Sequence, residues 1–304
     1  MAKATSRSAA SRTPAAPADW SAAALDCAAY VDLVAREGAA RYRDLPWRGI
    51  DDAYGVLVSE VMLQQTQVVR VLDYWPRFMA KFPTVDALAA AAVSDVLAAW
   101  QGLGYNRRAL ALKRAADACS ADLGGRLPRD YDGLLALPGV GPATAAGVLS
   151  FAYEQPSVYL ETNVRTVMLH VLFPEADKVA DKLLEPYARE ACERAVAQGM
   201  SARAWCYALL DYGAYLKSQV QNPSRRSAAY ARQSAFEGSH RQKRSFVLRA
   251  VLDSGGVSPD EVFADLCAFE RDRGRSAPDR AAFDALVDEL VNEGFFTRDA
   301  GLLV

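Results

Sequence analysis

Leu137-Pro138-Gly139-Val140-Gly141-Pro142-Ala143-Thr144-Ala145 is the stretch on which the fold turns. It lies between a short helix predicted to end near Ala136 and a longer one predicted to start at Pro142. Gly139 and Gly141 permit a tight hairpin with its amides exposed. Pro142 suits the first turn of a helix, where a missing N–H removes no bond. Amides at the mouth of a helix, aided by its dipole, hold an anion, and a DNA phosphate can be held this way without any base being read. A plain interhelical turn is the simpler reading, but Leu-Pro-Gly-Val-Gly followed by Thr-Ala is far more specific than a glycine pair. Gly139, Gly141 and Thr144 are therefore candidate DNA contacts.

Working outward, helical periodicity dominates from Trp20 to Gln219, broken by short Gly, Pro and Asn signals that join helices rather than strands. Helices are predicted at about 52–66, 67–81, 94–100, 106–122, 130–136, 142–154, 162–172, 178–197 and 201–216, with Thr84 capping a short element after Phe82-Pro83. The fold class is all-α. Residues 1–19 are Ala, Ser, Pro, Thr and a few cations, a composition that reads as a disordered tail. Residues 20–219 form the main domain and 220–244 a basic segment. Residues 245–304 read as three helices followed by a β-hairpin around Asp299-Ala300-Gly301, a small winged-helix-like module.

The 304 residues are 51% hydrophobic and carry a formal net charge of −2, which suits a packed protein and not one that coats nucleic acid indiscriminately. No apolar run is long enough to span a membrane and the first twenty residues hold no compact apolar core, so a cytoplasmic, nucleoid-associated protein is expected. Cys27, Cys119, Cys192, Cys206 and Cys267 stand far apart with no C-x-x-C pair, and His170 and His240 have no neighbouring ligands. No metal or other cofactor is expected. Charge is concentrated locally: Arg225, Arg226, Arg232, Arg241, Lys243, Arg244 and Arg249 face the single acid Glu237 between Gln219 and Arg249.

With the hairpin as anchor, further motifs fall into place: Leu45-Pro-Trp47-Arg48, Glu60-Val-Met-Leu-Gln64-Gln65-Thr-Gln67, Gly102-Leu103-Gly-Tyr105, Asn163-Val-Arg165 and Leu210-Asp-Tyr-Gly213. Jointly they resemble the helix-hairpin-helix DNA glycosylases, and within them the adenine DNA glycosylases of the MutY family. The resemblance implies two helical subdomains around a cleft that receives a flipped nucleotide. Extracting a base requires unstacking it and filling the gap. Gln64 and Gln65 can pair with bases, and Leu103 and Tyr105 can replace lost stacking. Leu45, Trp47, Arg48 and Ala143 fall to the substrate pocket by the resemblance.

Breaking an N-glycosidic bond calls for a carboxylic acid at the leaving base and a carboxylate at the sugar. Glu60, flanked by Val56 and Leu63 on a helical stripe, suits the acid, and the resemblance assigns it protonation of adenine N7. The family's sugar-side aspartate corresponds to Glu161 here, beside Asn163. One extra methylene shifts the carboxylate by about 1.5 Å, a displacement on the scale that can cost about a hundredfold in rate.

Two more departures shape the expectation. Bifunctional relatives carry a lysine where this chain has Ala143, so no Schiff base can form by that route and an intact abasic site is the expected product. By the resemblance, cluster cysteines would follow Gly213, where only Cys267 remains, and neither the iron–sulfur cluster nor the family's large 8-oxoguanine-recognition domain is expected. Arg225, Arg226, Lys243 and Arg244 are expected to hold the DNA backbone in the cluster's place. The expected partner is double-stranded DNA with a mismatch or lesion, bound by a monomer, with adenine opposite 8-oxoguanine or guanine as the target. A glycosylase for another lesion, such as a damaged or deaminated pyrimidine, and a non-catalytic binder of distorted duplex are the alternatives.

Overall fold

The computed structural model of the chain describes residues 16–304. In chain order its α-helices are α1 (Cys27–Ala39), α2 (Ala53–Leu63), α3 (Val68–Lys81), α4 (Val85–Ala90), α5 (Val93–Trp100), α6 (Arg107–Asp122), α7 (Tyr131–Leu135), α8 (Pro142–Tyr153), α9 (Thr162–Val171), α10 (Asp181–Ala197), α11 (Ala202–Gln219), α12 (His240–Ser254), α13 (Pro259–Arg271) and α14 (Arg280–Glu293). A single hairpin, β1 (Arg298–Asp299) with β2 (Leu302–Leu303), completes the described residues. They divide into two units: residues up to Tyr42 with Val158–Tyr230, and Arg43–Ser157 with Ala231–Val304.

In the first unit α11 is the hub, packing on α9, α1 and α10. Two of its close approaches use small residues. A Cβ on Gly38 would lie 2.3 Å from that of Ala208, and one on Gly213 would lie 2.2 Å from the carbonyl oxygen of Asn163. Only bare backbone lets these helices meet at that distance, which gives Gly213 of the Leu-Asp-Tyr-Gly motif its physical reason. Trp205 stands edge-on to Tyr30 within the core. Of the tail predicted for 1–19, residues 1–15 lie outside the described residues. Ala18 and Asp19 are tied down: Glu190 accepts from the Ala18 amide, and Tyr187 donates to the Asp19 carbonyl.

The second unit is built on α2, which is buried on nearly every side from Tyr54 to Met62 and packs against α8, α3 and α6. Asp52 caps it through the amides of Tyr54 and Gly55. After Tyr230 the chain returns to this unit as three helices and the hairpin. Ser239 caps α12, Ser258 and Glu261 form a capping box on α13, and Asp279 caps α14. Leu303 exchanges both backbone bonds with Val257, adding a third short extended segment to the hairpin. The winged-helix-like order of elements is present. Its first helix, however, starts at His240 and not at 245, because Ser239 is the cap, so Lys243 and Arg244 belong to the module. The basic stretch is one run in sequence but is divided between the units at Tyr230.

Candidate functional site

In the hairpin, Gly139 takes φ +74°, and a Cβ there would sit 2.4 Å from Ala111 Cβ on α6. Any other residue would be strained in backbone and pushed off α6. Gly141 is the N-cap of α8 and offers no side chain to its first amides, while Pro142 fills the first position. The first-turn donors of α8 thus lack the usual side-chain cap, the geometry of an anion site. Thr144 is buried, and its hydroxyl accepts from Gln64 Nε2 at 3.1 Å. This bond joins the hairpin to the end of α2, so Gly139, Gly141, Thr144 and Gln64 do come together.

The residue that organises this region is Arg108, which the sequence reading did not single out. Its guanidinium donates to the carbonyls of Val61, Met62 and Gln64 at the open end of α2, to Gly104, and to the Thr66 hydroxyl. It also lies over the rings of Trp100 and Tyr105. Burial pulls its pKa down to about 10, which leaves it protonated at neutral pH. One cation therefore fixes both loops that carry the predicted readers. Those readers are in uncommon backbone states: Gln65 has φ 55° and Tyr105 φ 52°. Positive φ at non-glycine residues costs energy and persists where surroundings enforce it. Next to Arg107 in sequence, Arg108 looks like an ordinary cation opening a helix, and only its tertiary partners reveal the role.

Leu103 is placed differently from expectation. It is 2% exposed and packed in the core, so in this structure it supports the loop and does not stand ready as a wedge. Tyr105 is half-buried. Its hydroxyl accepts from Arg241, whose guanidinium lies 5.3 Å from the ring centroid. Gln65 accepts from Gln233. Leu45, Trp47 and Arg48 are 9%, 5% and 8% exposed, with Trp47 edge-on to Trp75, and so belong to the core of the second unit. Ala143 sits half-buried in the first turn of α8.

Glu60 lies on α2 between buried Ser59 and Val61 and is itself half-exposed, a carboxyl held at the edge of an apolar helix. In the first unit Glu161 is the N-cap of α9. Its Oε1 accepts from the amides of Asn163 at 2.6 Å and Val164 at 3.0 Å; Oε2 takes neither bond. The longer side chain is accommodated by folding back onto its own helix. Burial pushes the Glu161 carboxyl above the usual range, against the two amides and the charges of Lys217 and Arg165, which pull it back. Around it, Lys217 donates to Asn163 Oδ1 at 3.2 Å, and Arg165 forms a two-pronged pair with Asp181 at 2.7 and 2.6 Å.

The four basic residues expected on DNA separate into two classes. Arg226 donates to the carbonyls of Leu169, Phe173, Pro174 and Ala176, closing the C-terminal end of α9. Arg244 pairs with Glu289 and Glu293 of α14. Both are structural, because their donors already meet internal acceptors. Arg225 is exposed and Lys243 half-exposed, so these two keep the surface position that a phosphate contact requires.

A family model described as HhH-GPD superfamily base excision DNA repair protein matches residues 58–193. An adenine DNA glycosylase of Mycolicibacterium smegmatis is 45% identical over 140 residues, covering 45% of this chain and 47% of that protein. The adenine DNA glycosylase of Mycobacterium tuberculosis is 43% identical over 149 residues, 48% of this chain and 49% of that one. The chain spans about half the length of these curated relatives. A solved thermostable thymine-DNA glycosylase matches 62% of this chain and 86% of its own, with 26% identity and a TM-score of 0.53.

Proposed function

We propose that the chain, whose residues 58–193 match the family model described as HhH-GPD superfamily base excision DNA repair protein, is a monofunctional DNA glycosylase that excises adenine opposite 8-oxoguanine or guanine. The observation that carries this reading is identity of 43–45% to adenine DNA glycosylases over 140–149 residues, alongside a family match at residues 58–193 that includes the α2 carboxyl and the hairpin. In this reading the uncapped start of α8 takes a phosphate of the damaged strand. Glu60 delivers a proton to the departing adenine as the C1′–N9 bond breaks. The Glu161 carboxylate, through the oxygen its helix leaves over, faces the sugar cation until water adds at C1′. Asn163 stands beside it, held by Lys217. With Ala143 in place of an amine, no covalent sugar adduct forms there and the abasic strand stays whole. The protein acts as a monomer without an iron–sulfur cluster.

The test is base release from defined duplexes carrying adenine opposite 8-oxoguanine, adenine opposite guanine, and thymine opposite guanine. Free adenine is expected from the first two, with strand scission only after alkali. The likeness to a thymine-DNA glycosylase favours one rival. Release of thymine with adenine untouched would replace the proposed substrate, and scission without alkali would overturn the monofunctional reading.

A further inference from the structure

Within the second unit, a groove of about 820 Å³ runs between the loops fixed by Arg108 and the C-terminal module. One side is formed by Gln64, Gln65, Arg70 on α3 and the 101–108 loop; the other by Gln233, Phe236 and α12. Its charge is positive in effect. Glu289 is the carboxylate among the lining residues, and Arg107, Arg244 and His240 are already paired with it. Arg70 and Arg249 add exposed cations from α3 and α12. The Phe236 ring is 50% exposed on a groove whose lining also includes Leu248, Leu252 and Phe295.

We propose that this groove binds a DNA strand, with the C-terminal module as its second wall. Arg70 and Arg249 take phosphates, while Tyr105 and Phe236 offer faces for one unstacked base whose edge meets the amides of Gln65 and Gln233. The volume lies in the range of sites that enclose a small molecule, enough for a nucleotide and its flanking phosphates. An acidic peptide would satisfy the cations but leave the rings and amides without a function. The proposal rests on the reading of the chain as a DNA-acting enzyme. It adds that the module, joined to the readers through Gln233–Gln65 and Arg241–Tyr105, takes part in recognising the distorted site.

The experiment uses the full chain and fluorescein-labelled duplexes, one fully matched and one with adenine opposite 8-oxoguanine, titrated by anisotropy at several salt concentrations. R249E should weaken binding to both duplexes on the order of five- to tenfold and lower the salt slope by about 1. F236A, which removes no charge, should leave matched-duplex binding near the parent's and reduce the preference for the mismatch. Parent-like binding of both duplexes by both variants would overturn the proposal, as would tighter binding of polyglutamate than of duplex. Loss of binding in the variants when the parent releases no base from any duplex would sustain the groove while refuting the glycosylase reading. Normal adenine release by a parent whose variants bind unchanged would refute the groove alone.

Discussion

Replacing Arg108 with Met keeps the length of the side chain and removes the cation that holds two loops. Six acceptors lose a donor: the carbonyls of Val61, Met62, Gln64, Gly104 and Tyr105 and the hydroxyl of Thr66, although Gln64 keeps the Thr66 hydroxyl, Gly104 the Trp100 indole N–H and Tyr105 the Arg108 amide. A hydrogen bond to a charged group is worth about 1.5–3 kcal/mol and a buried acceptor left bare costs about 1–3 kcal/mol. The loops are part-exposed, so water can replace some partners. A net loss on the order of 3–5 kcal/mol results, the scale of breaking a buried ionic network. That is roughly 10 °C in Tm for a unit of this size. R108K should recover less than half, because an ammonium cannot reach all of these acceptors as a planar guanidinium does. Thermal unfolding followed at 222 nm gives the stability, and amide exchange at residues 64–66 and 102–105 gives the location. If R108M melts within 2 °C of the parent, by the conversion just used, and those amides exchange at parental rates, Arg108 is not the organiser described.

E161Q should bind duplex as the parent does but lower single-turnover excision on the order of a hundredfold, the scale of losing a placed electrostatic stabiliser; equal rates would remove Glu161 from the mechanism. Because the folded carboxyl titrates above its unfolded value, its contribution to stability is fully present at pH below the ordinary carboxylate range and is lost as pH rises through the raised value. Melting temperatures of parent and E161Q should therefore shift in favour of the glutamine as pH climbs from acid to neutral, and the opposite trend would contradict the burial argument. R226A should cost about 2–4 kcal/mol by taking a donor from four carbonyls, of which Phe173 keeps a second donor in the Ala176 amide, whereas R225A should melt like the parent and lower the salt slope of duplex binding by about 1; matching behaviour in the two variants would refute the division. Anaerobically purified protein should be colourless and hold no stoichiometric iron, since the five cysteines are far apart in sequence and Cys119, Cys192 and Cys206 are buried; iron in proportion to protein would contradict this.

Local rules made much of this chain legible in one dimension. The hairpin could be read because glycine and proline act through their own backbone, and the helix boundaries because Asp, Ser and Thr cap amides two or three residues away. The Asp-Ala-Gly turn and its two short strands were equally visible. Glu161 was recognised by its distance from Asn163, although nothing in the sequence indicated that the longer side chain would cap its own helix. What depended on distant partners was hidden. Arg226 and Arg244 look like phosphate contacts in a basic run until acceptors from Leu169–Ala176 and α14 are brought to them. Leu103 looks like a wedge until the core encloses it, and Arg108 looks like a surface cation until the end of α2 arrives forty residues away in the chain. A side chain's type and neighbours in sequence set what it can bond to, while the tertiary fold decides which acceptors are desolvated beside it, and for long cations that choice separates a structural clamp from a hand held out to DNA.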